Sequence, residues 1–161
     1  MISTTTIQAP ADVVFVVLAD PSTHAAIDGT GWVRESLDGE RLTQTGQIFR
    51  MAMYHDNHPD GDYEVANRVE VFDPPRAIAW QPGSSPGQAT SAGDEDANLE
   101  FGGWIWRYDL ASVDDGLTEV TLSYDWSAVP PEPREYIEFP PFEPQHLDNS
   151  LAHLAELATA R

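Results

Sequence analysis

The chain has 161 residues and a formal charge of −19, set by 27 acidic residues against 8 arginines, with neither lysine nor cysteine. That length suits one domain, residues 1–161, able to bury a core or enclose a cavity. Missing cysteines exclude disulfides, thiolate catalysis and cysteine-based zinc sites; missing lysines exclude Schiff-base chemistry except at the N-terminal amine. A surface this acidic is the wrong partner for nucleic acid or an anionic membrane. No stretch approaches the roughly 18 apolar residues of a membrane span, and the N-terminus lacks a signal-peptide layout, so a cytoplasmic protein is expected.

In chain order, the β-branched run at 3–7 reads as a strand, ended by Ala9-Pro10. Proline suits a first helical turn, where its missing N–H would be unpaired anyway, and Asp12 favours the positive end of a helix carrying Val13, Val14, Val17 and Leu18. Asp20-Pro21 repeats the device and opens a second short helix through Ile27, ended by Asp28-Gly29. Strands are predicted at 32–37 and 48–54, the latter with Phe49, Met51 and Met53 on one face. A further strand at 63–72 alternates Tyr63, Val65, Val69 and Val71 with Glu64, Arg68 and Glu70, and Asn67 falls on its apolar face. A short strand follows at 77–81, and the polar run 82–98 reads as a loop.

Trp104, Trp106 and Tyr108 then alternate along one strand, 103–112, and Tyr124 and Trp126 along the next, 117–127. Strand side chains point to opposite faces with period two, so these rings form one wall, which suits either a flat apolar ligand or packing against a helix. Arg107 and Asp125 face the other way and are expected to form a cross-strand ion pair. Six prolines in 130–144 make that stretch an extended connection. A last helix at 144–160 carries Leu147, Leu151, Leu154 and Ala158 at helical spacing, with Leu157 beside them and His146 and His153 on the neighbouring stripe.

The order of a strand, two short helices, antiparallel strands and a long C-terminal helix is an α+β arrangement. The chain resembles the START-like or Bet v 1-like superfamily (SRPBCC), in particular its bacterial polyketide cyclase/dehydrase and lipid-transport branch. The matching stretches are 7–15, Leu18-Ala19-Asp20-Pro21-Ser22, Asn67-Arg68-Val69 with 72–80, Tyr124-Asp125-Trp126-Ser127 and His146-Leu147 with Ser150-Leu151-Ala152-His153-Leu154. The resemblance implies a helix-grip fold: a curved antiparallel sheet of about seven strands wrapped around the C-terminal helix, with an apolar cavity between them. Some members cyclise or dehydrate polyketides and others carry lipids or hormones. No catalytic motif is common to all, so the resemblance carries over no catalytic residue.

Read from the residues, the ligand-binding candidates are Trp32, Phe49, Met51, Met53, Trp80, Trp104, Trp106, Tyr108, Tyr124, Trp126 and His146. The catalytic candidates are His55, which continues the inward series Phe49, Met51, Met53, and Asn67, whose buried amide needs a partner or a ligand. His55 and His58 with Asp60 and Asp62 have the donor types of a divalent-metal site, but a polar hairpin loop in so acidic a chain often sets carboxylates beside histidine, and no metal or other cofactor is expected. His24, Asp28 and Trp32 surround the second helix, which the resemblance sets at a cavity entrance. The expected ligand is a hydrophobic, aromatic or polycyclic small molecule, bound by a monomer or homodimer. Cyclisation or dehydration of a polyketide-type chain and non-catalytic carriage of a lipid-like ligand both remain open.

Overall fold

The structure, a computed structural model, describes residues 2–28, 33–36, 41–54, 62–84, 100–101, 103–127 and 145–159. Its strands are β1 (Ile2–Ile7), β2 (Val33–Ser36), β3 (Ile48–Tyr54), β4 (Asp62–Asp73), β5 (Ala77–Ser84), β6 (Glu100–Phe101), β7 (Ile105–Asp114) and β8 (Leu117–Asp125). They form one antiparallel sheet in the order β1-β8-β7-β5-β4-β3-β2, with β6 added to β5. The polar stretch expected to be loop through residue 98 therefore begins later, because β5 continues to Ser84.

The helices follow their local chemistry. Pro10 stands at the N-cap of α1 (Ala11–Leu18), its carbonyl accepting from the N–H groups of Val13 and Val14 at 3.1 Å each. Val14, Phe15, Val17 and Leu18 are buried, while Val16 turns to solvent. Asp20 caps as expected, accepting from Ser22 N at 3.1 Å, but a 3-10 turn, Pro21–Thr23, precedes a short α2 (His24–Asp28). The expected single second helix is thus split, since Thr23 Oγ1 bonds back to the Val17 and Asp20 carbonyls and holds the tighter turn.

The C-terminal helix α3 (Gln145–Thr159) buries Leu147, Leu151, Leu154 and Ala158, as its spacing predicts. It packs against β1, α1 and α2. Leu147, Leu151 and Leu154 are at most 1 % exposed. Truncating such a side chain to alanine costs roughly 2 to 5 kcal/mol, so α3 is part of the core. The buried Thr118 hydroxyl donates to the Ala9 carbonyl at 2.7 Å and ties β8 to the β1–α1 connection.

One expectation about faces fails. The register shifts between Val69 and Val71, so that Val69 faces Trp80 across the ladder while Val71 faces Ala79. One extra residue on β4 makes a β-bulge, which reverses the alternation beyond it. Val71 therefore lies on the outer face instead of beside Val69, and Phe72 turns inward to meet Phe15 edge-to-face at 5.3 Å.

Candidate functional site

The helix-facing side of the sheet carries a transverse row of rings. Val69 lies opposite Trp80, Trp80 opposite Trp106, and Trp106 opposite Tyr124, so four adjacent strands contribute one residue each. Trp106 and Tyr124 pack with ring centroids 4.5 Å apart, and Trp80 lies 5.8 Å from Tyr108 in the next row. Tyr108 and Tyr124 are buried, whereas Trp80 and Trp106 stay partly open. Burial pushes both tyrosine hydroxyls to higher pKa, and Asp28 adds to the effect at Tyr108, so both remain protonated donors at neutral pH.

Phe49 and Met51 are each 2 % exposed, with Met53 packed beside them. Asn67 is 5 % exposed, opposite Phe49 on one side and Pro82 on the other. The expected inward face of β3 and of β4 up to Val69 is thus correct. The Asn67 amide finds no hydrogen-bond partner among the described residues, and it is not fully cut off from solvent. Trp104 is half-buried just before β7. Trp126 departs from the row. It lies past the end of β8, touches Tyr124 at 5.7 Å, and borders an open groove of about 610 Å³ on the outer face with Ile2, Val71 and Ile105.

Two histidines close the row from above. His24 stacks on Trp80 at 4.8 Å with planes 16° apart, and meets Phe49 edge-on at 5.6 Å. Its Nε2 lies 2.9 Å from the Leu18 carbonyl oxygen. Burial lowers its pKa, against the opposing pull of the Leu18 carbonyl and Asp20, so the ring is neutral at physiological pH. His146 meets Trp106 edge-on at 6.0 Å, and its Nε2 lies 3.5 Å from Asp28 Oδ1. Asp28 Oδ2 also accepts from Val33 N at 3.5 Å, so the carboxylate links α2, β2 and α3. Burial lowers the His146 pKa; Asp28 opposes this and His153 adds to it. His153 Nδ1 lies 3.0 Å from the Ile27 carbonyl oxygen, a second tie between α2 and α3.

The structure brings together Phe49, Met51, Asn67, Trp80, Trp106, Tyr108, Tyr124 and His146. Trp32, His55 and the remainder of the 55–61 loop lie outside the described residues. Among the described residues there is no group of three metal-ligating side chains. Arg107 and Asp125 do face outward, but the expected pair between them does not form: Arg107 binds Asp109 on its own strand at 2.9 Å, and Asp125 accepts from Ser127 N at 2.9 Å. The cause is register, since Arg107 lies opposite Ser123 and not Asp125. Sequence reasoning noticed His24 and Asp28 only as neighbours of an entrance. Nothing in their spacing announces a stack on Trp80 or a contact with His146, which lies more than a hundred residues away.

No family model matches this chain. An uncharacterized protein of Mycobacterium tuberculosis is 28 % identical over 122 residues, covering 76 % of this chain and 45 % of the relative. The chain thus spans about half the length of the curated relatives it matches. Among solved structures, the Zhui aromatase/cyclase from Streptomyces sp. R1128 superposes with a TM-score of 0.64 at 19 % identity, covering 100 % of this chain and 93 % of the other. The chain shares that structure's fold, a curved antiparallel sheet gripping a C-terminal helix. A ginseng (Panax ginseng) major latex-like protein shares that fold, with a TM-score of 0.58 at 12 % identity over 99 % of this chain and 94 % of its own. The ring row lies on the face that the sheet turns toward its C-terminal helix. No helix among the described residues is long and apolar enough to cross a membrane.

Proposed function

We propose that this START-like domain binds a hydrophobic, ring-bearing small molecule on its helix-facing side, between the Trp80–Trp106–Tyr124 row and the helices. The observation that carries this reading is the partly open pair Trp80 and Trp106, adjacent across the ladder and each capped by one histidine. Indole faces in such a setting offer flat apolar area with a few fixed polar groups beside it, the usual composition of a small-molecule site. The fold shared with an aromatase/cyclase adds support at the level of ligand type.

The test is titration with N-phenyl-1-naphthylamine, a neutral aromatic fluorophore. Its emission should rise on binding and quench tryptophan fluorescence, and Trp106→Ala should weaken binding by about tenfold or more, the loss of one well-packed aromatic contact. Absence of binding, or equal binding by Trp106→Ala, would contradict the reading.

A second reading, that the bound molecule is also transformed, is favoured by the buried Asp28–His146 pair at the edge of Trp106. A neutral imidazole oriented by a carboxylate is a suitable base for removing a proton next to a carbonyl, the first step of polyketide-type cyclisation or dehydration. Asn67 would hold a carbonyl of the same molecule, and positioning alone lowers such barriers by roughly several kcal/mol. Benzoylacetone, an aryl 1,3-diketone, reports on this through the rate of its keto–enol relaxation after dilution into buffer. Acceleration that disappears in His146→Gln supports catalysis; a rate equal to buffer alone leaves the domain a carrier.

A further inference from the structure

We propose that His24 and Asn67 together form a hydroxyl-recognition site at the Phe49–Trp80 end of the ring row, one that selects a neutral hydroxyaromatic molecule. The inference rests on the ring-binding reading above and specifies the ligand's polar group. A carbonyl oxygen only accepts hydrogen bonds, so His24 Nε2, at 2.9 Å from the Leu18 carbonyl, must carry the proton. In the neutral ring Nδ1 is then a lone-pair acceptor. It has no partner among the described residues, although His24 is 8 % exposed, and like the Asn67 amide it retains accessible surface.

The two groups flank the same aromatic residue. His24 stands edge-on to Phe49 at 5.6 Å, and Asn67 is the cross-strand neighbour of Phe49 on β4. One hydroxyl satisfies both: its O–H donates to His24 Nδ1 and its oxygen accepts from the Asn67 amide N–H. Since His24 already covers Trp80, the remainder of a flat ligand would extend past the stacked pair toward Trp106, where the row is partly open.

The site also excludes. A carboxylate here would meet a lone pair at His24 instead of a donor, and burying an uncompensated charge is far more costly than burying a hydroxyl. The formal charge of −19 repels anions before they arrive. A methyl ether retains the acceptor but offers His24 no proton.

Calorimetric titration with 2-naphthol, 2-methoxynaphthalene and 2-naphthoate tests this. Wild type should bind 2-naphthol about tenfold more tightly than either of the others, the effect of one or two neutral hydrogen bonds in a buried site. His24→Phe keeps a ring over Trp80 and should bring naphthol and its ether within about twofold of each other. Because that change also removes the Leu18 contact, Asn67→Leu serves as an independent variant that leaves α2 intact, and it should lower the preference as well; thermal melts confirm that each variant is folded. Equal binding of all three compounds by wild type overturns the hydroxyl site while leaving the ring-binding reading standing, as does a tenfold preference that survives in both folded variants. If none of the three binds, both are overturned.

Discussion

At the scale of single residues, the two buried histidines set how this domain responds to acid. Both have pKa values lowered from 6.5, in each case chiefly by burial. In the unfolded chain they take up protons at a higher pH than in the folded one, so between the two values the unfolded state binds more protons and stability falls as pH falls. The loss begins near pH 6.5 and ends once the folded-state values are passed. Thermal melts at about pH 7.5 and about pH 5.5 should therefore show a clear drop for wild type, and a smaller one for His24→Phe. An equal drop in both would mean that His24 does not contribute. Asn67 gives the opposite kind of prediction. Its amide is buried on an apolar strand face without a protein partner among the described residues, so Asn67→Leu should leave the melting temperature unchanged or raise it. A loss of more than about 1 kcal/mol would mean that the amide supports the fold instead of a ligand.

At the scale of elements, the boundaries of β3, β4, β8 and α3 were legible because period-two and helical patterns dominate their local sequence. The face of Asn67 followed from the same alternation. The bulge in β4 was not legible, because Val69-Glu70-Val71-Phe72 alternates plausibly whether or not Glu70 is an extra residue; only the partner strand decides. Pairing of α2 with α3 through Asp28 and His146 was hidden for the same reason, since it depends on packing between distant segments. The bulge can be tested by one substitution made twice. Val69→Thr places a hydroxyl among core residues where exposure is 1 %, and should cost about 1 to 3 kcal/mol. Val71→Thr alters a half-buried side chain on the outer face and should stay within about 0.5 kcal/mol. Equal costs in denaturant melts would return Val71 to the core face and remove the bulge. Leu151→Ala, on the face of α3 that covers the sheet, should cost roughly 2 to 5 kcal/mol in the same measurement.

For the molecule as a whole, charge opposes compactness. Arg68, Arg76 and Arg107 are already paired with Glu70, Asp73 and Asp109, and each is at least 40 % exposed, so solvent screens each pair and it contributes little. With 8 arginines facing 27 acids, most carboxylates have no cation available whatever the geometry. Exposed acids such as Asp114, Asp115 and Glu119 cluster around the β7–β8 turn. Added salt weakens the few attractions and the many repulsions alike, and the repulsions are more numerous, so the net effect should be stabilising. The screening length falls from about 30 Å at 0.01 M to about 10 Å at 0.1 M, which is the range in which neighbouring surface carboxylates cease to sense one another. The melting temperature should therefore climb most steeply between about 10 and about 200 mM sodium chloride, well below the molar concentrations at which salt strengthens apolar burial. A flat response over that interval, with a rise only near about 1 M, would show that the acidic surface is already neutralised by its own counterions and does not strain the fold.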